Sequence, residues 1–294
     1  MSASPAPDTA DAAAALLAHV GRTYDGGCAL IEADHVAFYA EATQDEHIRY
    51  YGGGAIASPM FHVRPMRDLL FAVMEDPALG LDMLRLVHAE HDARFHAPLR
   101  VGDVVHLRGV LTHVEQKSKG LLVEAKLTGF VDGEAAVEAT TSFYVRDQIL
   151  APAGTGKRSL PVSVDPSGPP DKTTTWRVQP NQSHHYAEAS LDRNPIHLDP
   201  EVARAGGLPD VILHGLCTMA ITGRSVLDMV GNSDPLRLRR LGLRWARPVL
   251  NGTVLTTRLW LTGKTEDGVQ HVKFDVVDSE GQPVVKRGRA EVAP

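Results

Sequence analysis

Asp192, Asn194 and His197 fall within the six-residue run DRNPIH, and a second run beginning at Ile212, ILHGLCTMA, supplies His214 and Gly215. A carboxylate and an imidazole are residue types that carry general acid–base chemistry, so Asp192 and His197 are the first candidates for moving protons. On a straight helix a separation of five gives about 500° of rotation and leaves the two side chains about 140° apart. Pro195 breaks such a helix, because it lacks an N–H and pushes Asn194 toward extended backbone. The resulting turn can direct a carboxylate, an amide and an imidazole into one pocket. His184 and His185 lie just upstream and make a metal cluster conceivable, but no HExxH or facial-triad spacing is present, and no metal is expected.

These residues must be held by something, and the chain supplies that scaffold twice. FYAEATQD from Phe38 recurs as HYAEASLD from His185, 147 positions on. APLRVGDVV, with Pro98 and Gly102, matches RPVLNGTVL, with Pro248 and Gly252, at an offset of 150. Gly120 and Gly133 have counterparts at Gly268 and Gly281, each 148 later. Between the copies, Ala151 to Asp171 is rich in Gly, Pro and Ser and reads as a crossover linker. The expected domains are therefore 1–150 and 172–294, joined by 151–171.

Each copy shows the same order of signals: a short helix, a longer apolar helix, then strands between glycine turns. In the second copy, GLCTMAITGRSVLDMV from Gly215 carries an apolar helical stripe and should be buried. Four β-rich runs follow, bounded by Asn251-Gly252, Glu266-Asp267-Gly268 and Glu280-Gly281, as in an antiparallel meander. One long helix on a curled antiparallel sheet, made twice, is an α+β architecture whose halves pair as a pseudo-dimer.

The copies differ where chemistry is concerned. Asp45 matches Asp192, but His47 stands in place of Asn194 and Tyr50 in place of His197. Asp192 to His214 spans 22 positions and Asp45 to His62 only 17, so the first half has lost a covering segment. One half is equipped for chemistry and the other is not.

DRNPIH, preceded by YAEAS and followed by ILHGLCTMA, resembles the signature of MaoC-like (R)-specific enoyl-CoA hydratases, with Leu191 standing where that family usually has Gly. The resemblance implies a double hotdog fold with a degenerate N-terminal half and an active C-terminal half. It implies that Asp192 and His197 hold and activate one water at a trans-2-enoyl thioester, with Asn194 fixing the pocket. Water is a poor nucleophile and a proton must reach the α-carbon, which is the work of positioned acid–base groups. The thioester oxygen gains enolate charge, and the Gly215 N–H, at the start of the buried helix, is placed to stabilise it. His214 reads as structural, Cys217 and Met219 as core residues, and Arg244 and Arg247 as either exposed strand residues or contacts for a CoA phosphate.

Composition agrees with small-molecule chemistry. The 294 residues are 43% hydrophobic and 22% charged, the balance of a globular protein, and a net charge of −6 gives no footprint for nucleic acid or an anionic membrane. Two distant cysteines, Cys28 and Cys217, encode no disulfide framework, and no apolar run approaches the roughly 20 residues of a membrane span. A cytoplasmic protein without a redox cofactor is expected, since the Gly-rich YYGGGA lacks the dinucleotide pattern. The substrate is expected to be an acyl-CoA or an acyl-carrier-protein thioester, with homodimerisation open. Two other readings compete, a hotdog acyl-CoA thioesterase and a catalytically silent acyl-CoA-binding partner subunit. The DRNPIH and HG combination argues against the first, and the retention of Asp192, Asn194 and His197 together argues against the second.

Overall fold

The computed structural model describes residues 9–150, 154, 158, 160 and 165–294. The lead before Thr9 and much of the expected linker lie outside the described residues. The first half runs α1 (Thr9–Ala18), β1 (Thr23–Leu30), α2 (Ala33–Ala42), α3 (Arg67–Met74), β2 (Leu86–Phe95), β3 (Val104–Lys117), β4 (Gly120–Val131) and β5 (Glu134–Arg146). The second runs β6 (Lys172–Arg177), α4 (Gln182–Ser190), α5 (Pro200–Ala205), α6 (Gly215–Val230), β7 (Leu238–Trp245), β8 (Val254–Lys264), β9 (Gln270–Asp278) and β10 (Pro283–Val292).

The strands form one antiparallel sheet in the order β1-β3-β4-β5-β2-β7-β10-β9-β8-β6, in which each half repeats the other's order outward from the centre. The halves join where β2 pairs with β7, with Asp92 opposite Gly242 and Arg94 opposite Arg240. Asp92 and Gly242 are 150 apart, the repeat offset itself, so the pseudo-two-fold axis passes between them, as in an isologous dimer. A Cβ on residue 242 would collide with the Asp92 carboxylate, so glycine at 242 makes room for the acidic side chain of its mate. The buried Asp92 is satisfied by Arg240 at 2.9 Å and Arg289 at 2.5 Å. The symmetry extends to irregularities: register breaks at Ala89 in β2 and Arg239 in β7 are also 150 apart. This is an α+β double hotdog.

The long helix is where the halves part. α6 is 16 residues long and packs on β6, β7, β8 and β10, with Cys217, Met219, Ile221 and Val226 fully buried. The expected counterpart in the first half is not one long helix. Pro59 opens a 3-10 segment, Pro59–Val63, and Pro65 has no N–H to donate to the helical ladder, so α3 starts only at Arg67 and runs eight residues. α3 packs chiefly on β1, β3 and β4 rather than over β2. One apolar core nevertheless runs through both halves, and α2 lies against α4. The hydroxyls of Tyr39 and Tyr186, mates at the 147 offset, meet at 3.3 Å near its centre.

Candidate active site

α4 ends at Leu191, whose φ of +64° is left-handed backbone, and Gln44 at the matching place in the first half has φ +56°. Such a residue without glycine costs about 1–2 kcal/mol, which the surrounding structure sustains at the entrance to the site. Two side chains then shape the turn. The Asn194 N–H donates to Asp192 Oδ1 and the Ile196 N–H to Asn194 Oδ1, both at 3.3 Å. Asn194 is exposed and caps the single helical turn Pro195–His197, so its visible work is to set the bend that carries His197 inward.

His197 is buried, and its Nδ1 lies 2.8 Å from the carbonyl of Ile212. A carbonyl only accepts, so Nδ1 carries the hydrogen and Nε2 is left as a bare acceptor in the neutral ring. Burial lowers the pKa of His197, and the Asp192 charge and the Ile212 carbonyl only partly oppose this. His214 stacks on it, with ring centroids 3.7 Å apart, and His214 Nε2–H donates to the Asp192 carbonyl at 2.8 Å. The structure thus makes His214 a buttress that fixes both the imidazole and the backbone of the carboxylate. Ligating atoms of Asp192, His197 and His214 lie within 4.8 Å of one another.

Gly215 is the first residue of α6, and the amides of a first helical turn have no intrahelical acceptor. Trp245, at the end of β7, donates its indole N–H to the Gly215 carbonyl at 2.9 Å. A Cβ at 215 would lie 2.9 Å from the indole, so only glycine fits beneath Trp245. Trp245 was not among the residues singled out from the sequence. The available signal was its phase on β7, where Leu241, Leu243 and Trp245 alternate toward the core.

The matching place in the first half is filled. The Tyr50 hydroxyl donates to Asp45 at 2.9 Å, and burial raises the Asp45 pKa despite that bond. Ala220, Gly223, Arg224 and Leu227 of α6 close over Asp45, leaving a cavity of about 10 Å³. The expected loss of a covering segment also appears, since α5 has no helical counterpart between Asp45 and His62.

The remaining candidates separate cleanly. His184 and His185 are exposed on α4 and are not part of the Asp192 cluster. Within the cluster His197 Nδ1 and His214 Nε2 already donate to carbonyls, which leaves His197 Nε2, His214 Nδ1 and the Asp192 carboxylate as its free ligating atoms. Cys217 and Met219 are core residues. Arg244 pairs with Glu90 at 3.4 Å and Arg247 is exposed.

Residues 162–281 match the family described as MaoC like domain, and residues 18–139 match the FAS1-like dehydratase domain region. The chain is 27% identical to probable enoyl-CoA hydratase 2 of Dictyostelium discoideum, over 74% of this chain and 73% of that protein. It is 28% identical to 3-hydroxyacyl-thioester dehydratase Y of Mycobacterium tuberculosis, over 72% of this chain and 75% of that one. The fold is similar to the crystal structure of a MaoC-like dehydratase from Phytophthora capsici, with a TM-score of 0.81 at 22% identity, covering 95% and 98% of the two chains.

Proposed function

This chain belongs to the MaoC-like dehydratase family, and we propose on that basis that it interconverts trans-2-enoyl-CoA and (R)-3-hydroxyacyl-CoA through its second half. The observation that carries the reading is the bare Nε2 of neutral His197 beside the Asp192 carboxylate, at the open N-terminus of α6. Water held between the two groups attacks C3, forming the new C–O bond. The C2=C3 π electrons move toward the thioester carbonyl. Asp192 and His197 together take up the proton that water loses and return one to C2, and the Gly215 N–H stabilises the enolate oxygen between those events. The (R) outcome follows the family resemblance, with water confined to one face of the bound enoyl group.

The two domains are read as 1–150 and 172–294, the first degenerate and structural. CoA thioesters are the proposed substrates, with acyl-carrier-protein thioesters and homodimerisation as further expectations. No helix among the described residues is long and apolar enough to cross a membrane. Free cysteines, one of them exposed, fit the proposed cytoplasmic location.

The test is crotonyl-CoA in chelator-containing buffer, following loss of the enoyl-thioester absorbance with free thiol measured in parallel. Absorbance loss without thiol is expected. Thiol release would make the protein a thioesterase, and binding with neither change would make it a silent acyl-CoA-binding subunit. Either result overturns the reading.

A further inference from the structure

The first half keeps an open cleft at the place that corresponds to Gly215 in the second. Backbone contacts set the correspondence: the Ala57 N–H donates to the Leu99 carbonyl and Ile56 bridges Arg100, just as the Leu213 N–H donates to the Val249 carbonyl and Ile212 bridges Leu250. Leu99 and Arg100 stand 150 residues before Val249 and Leu250, so Ser58 and Pro59 hold the places of His214 and Gly215. His62, which spacing alone matched with His214, lies one turn further on. Phe95 is likewise the mate of Trp245. Ser58, Pro59, Phe95, Leu99 and Arg100 all border one cavity of about 240 Å³, and Leu236, Leu238 and Arg239 of the second half border it too. A guest there would touch both halves.

This cleft is built to hold a molecule rather than to convert one. Pro59 has no N–H where Gly215 offers one, and the neighbouring acid–base place is the plugged pocket of Asp45. Its own polar groups are different. Ser58 is only 6% exposed, and its hydroxyl neither caps the segment that follows nor bonds to any other described residue. Buried polar side chains are seldom left so. Arg100 and Arg239 are exposed and have no carboxylate partner among the described residues, since Asp103 bonds the Arg100 backbone N–H at 2.7 Å and not its guanidinium. Their mates at the 150 offset are Leu250 and Ala89, so the catalytic half carries no such charges. His62 adds none. Burial pushes its pKa down to about 4, its Nδ1–H donates to the Pro59 carbonyl at 2.9 Å, and its Nε2 accepts from His91 Nε2–H at 3.4 Å.

The polar groups lie at one end. An antiparallel bridge sends both side chains to the same face, and so does a step of two along extended backbone, so Ile56, Ser58 and Arg100 face one way. Phe95, Leu99, Val137, Leu236 and Leu238 supply an apolar wall. A guanidinium matches a carboxylate with two parallel N–H···O bonds. In a CoA thioester the nearest phosphate is separated from the acyl group by the whole pantetheine arm, whereas here the guanidiniums and the apolar wall border one small cavity. The matching charge is therefore attached directly to a short apolar body.

We propose that this cavity is a non-catalytic binding site for a free short-chain carboxylate, whose head group is held by Arg100, Arg239 and the Ser58 hydroxyl and whose chain lies against Phe95, Leu99 and Leu236. At about 240 Å³ it is smaller than the roughly 300–1,000 Å³ of drug-sized pockets, so only short chains fit. The site stands apart from the hydratase reading.

The experiment titrates octanoate into the full chain by calorimetry, with octanol as the neutral probe and free CoA as the anion without an acyl chain. A single saturable octanoate site is expected, at least about tenfold tighter than octanol or CoA. Arg100→Ala combined with Arg239→Ala should weaken octanoate about tenfold or more while kcat and KM for crotonyl-CoA stay unchanged. Leu236→Trp, which fills the cavity and keeps both charges, should weaken it as well, with far-UV circular dichroism confirming the fold. Absence of saturable binding, octanol or CoA binding as tightly, unchanged affinity in the double arginine variant, or displacement of octanoate by crotonyl-CoA would each overturn the site. The titration needs no turnover, so failure of hydration would sink the activity and leave this site separately decided.

Discussion

The His214 ring lies flat against His197, centroids 3.7 Å apart, while its Nε2–H holds the Asp192 carbonyl at 2.8 Å. One buried side chain thereby fixes the position of both proposed proton carriers. His197 cannot turn without losing that face or its bond to Ile212, so its Nε2 keeps one direction.

Removing either proton carrier should abolish most turnover. His197→Ala and Asp192→Asn are each expected to lower kcat by at least about 10²-fold, with far-UV circular dichroism unchanged. Near wild-type turnover from either variant would remove the site from consideration.

Gly215 has two separable duties, to supply an N–H and to fit beneath Trp245. Gly215→Ala keeps the N–H but collides with the indole, and should destabilise by about 1–3 kcal/mol in urea titrations, an effect that Trp245→Leu relieves. In the Trp245→Leu background, Gly215→Pro should fall about 10²- to 10³-fold in kcat below Gly215→Ala, because only proline deletes the donor. Equal kcat in the two double variants would place the enolate oxygen elsewhere.

The first half should matter for stability and little for rate. Tyr50→Phe leaves the half-buried Asp45 carboxyl without its hydroxyl donor and should cost about 1–3 kcal/mol, with crotonyl-CoA kcat changing by less than about twofold. Chemical denaturation and initial rates measured on one preparation check both halves of this expectation. A rate loss matching that of His197→Ala would mean that both halves carry chemistry.

Activity and stability should share an acid limb. Because burial lowers the pKa of His197, the neutral base persists through neutral pH, and kcat/KM should decline only below about pH 6.5. His62 and His88 protonate near 6.5 in the unfolded chain but at about 4 and about 3 in the fold, so between those values the unfolded state binds more protons. Their contribution is complete above about pH 6.5 and is lost as pH falls, by about 1.4 kcal/mol per pH unit for each ring. Urea midpoints that stay flat from pH 7.5 to 4.5 would contradict this.

Much of the molecule was legible in the chain because it depends on local chemistry. Pro195 signalled a bend between Asp192 and His197, although α4 already ends at Ser190 with left-handed Leu191 and Pro195 instead opens the turn that carries His197. The apolar stripe from Gly215 to Val230 buries as expected, and Gly252, Gly268 and Gly281 turn the strands with φ between +75° and +84°. The repeat exposed the pseudo-dimer because two copies of one pattern must fold alike. β1 was not legible, since its alternation is weak and Gly26-Gly27 interrupt it. Nor was the shortening of the first long helix, where two prolines acted against an otherwise apolar run.

What tertiary structure alone decided is how distant residues meet. Sequence could say that Tyr50 replaces His197, but not that α6 of the other half closes over Asp45. It could name Gly215, but not the Trp245 indole, 30 positions away, that leaves no room for a Cβ. The tautomer of His197 likewise depends on the carbonyl of Ile212, fifteen residues on, and that of His91 on its partner His62, 29 residues back. Backbone preference acts over a few bonds and can be read along the chain. Burial and hydrogen-bond direction are set by whichever groups the sheet and helices bring into contact, and those distances exist only once the fold has closed.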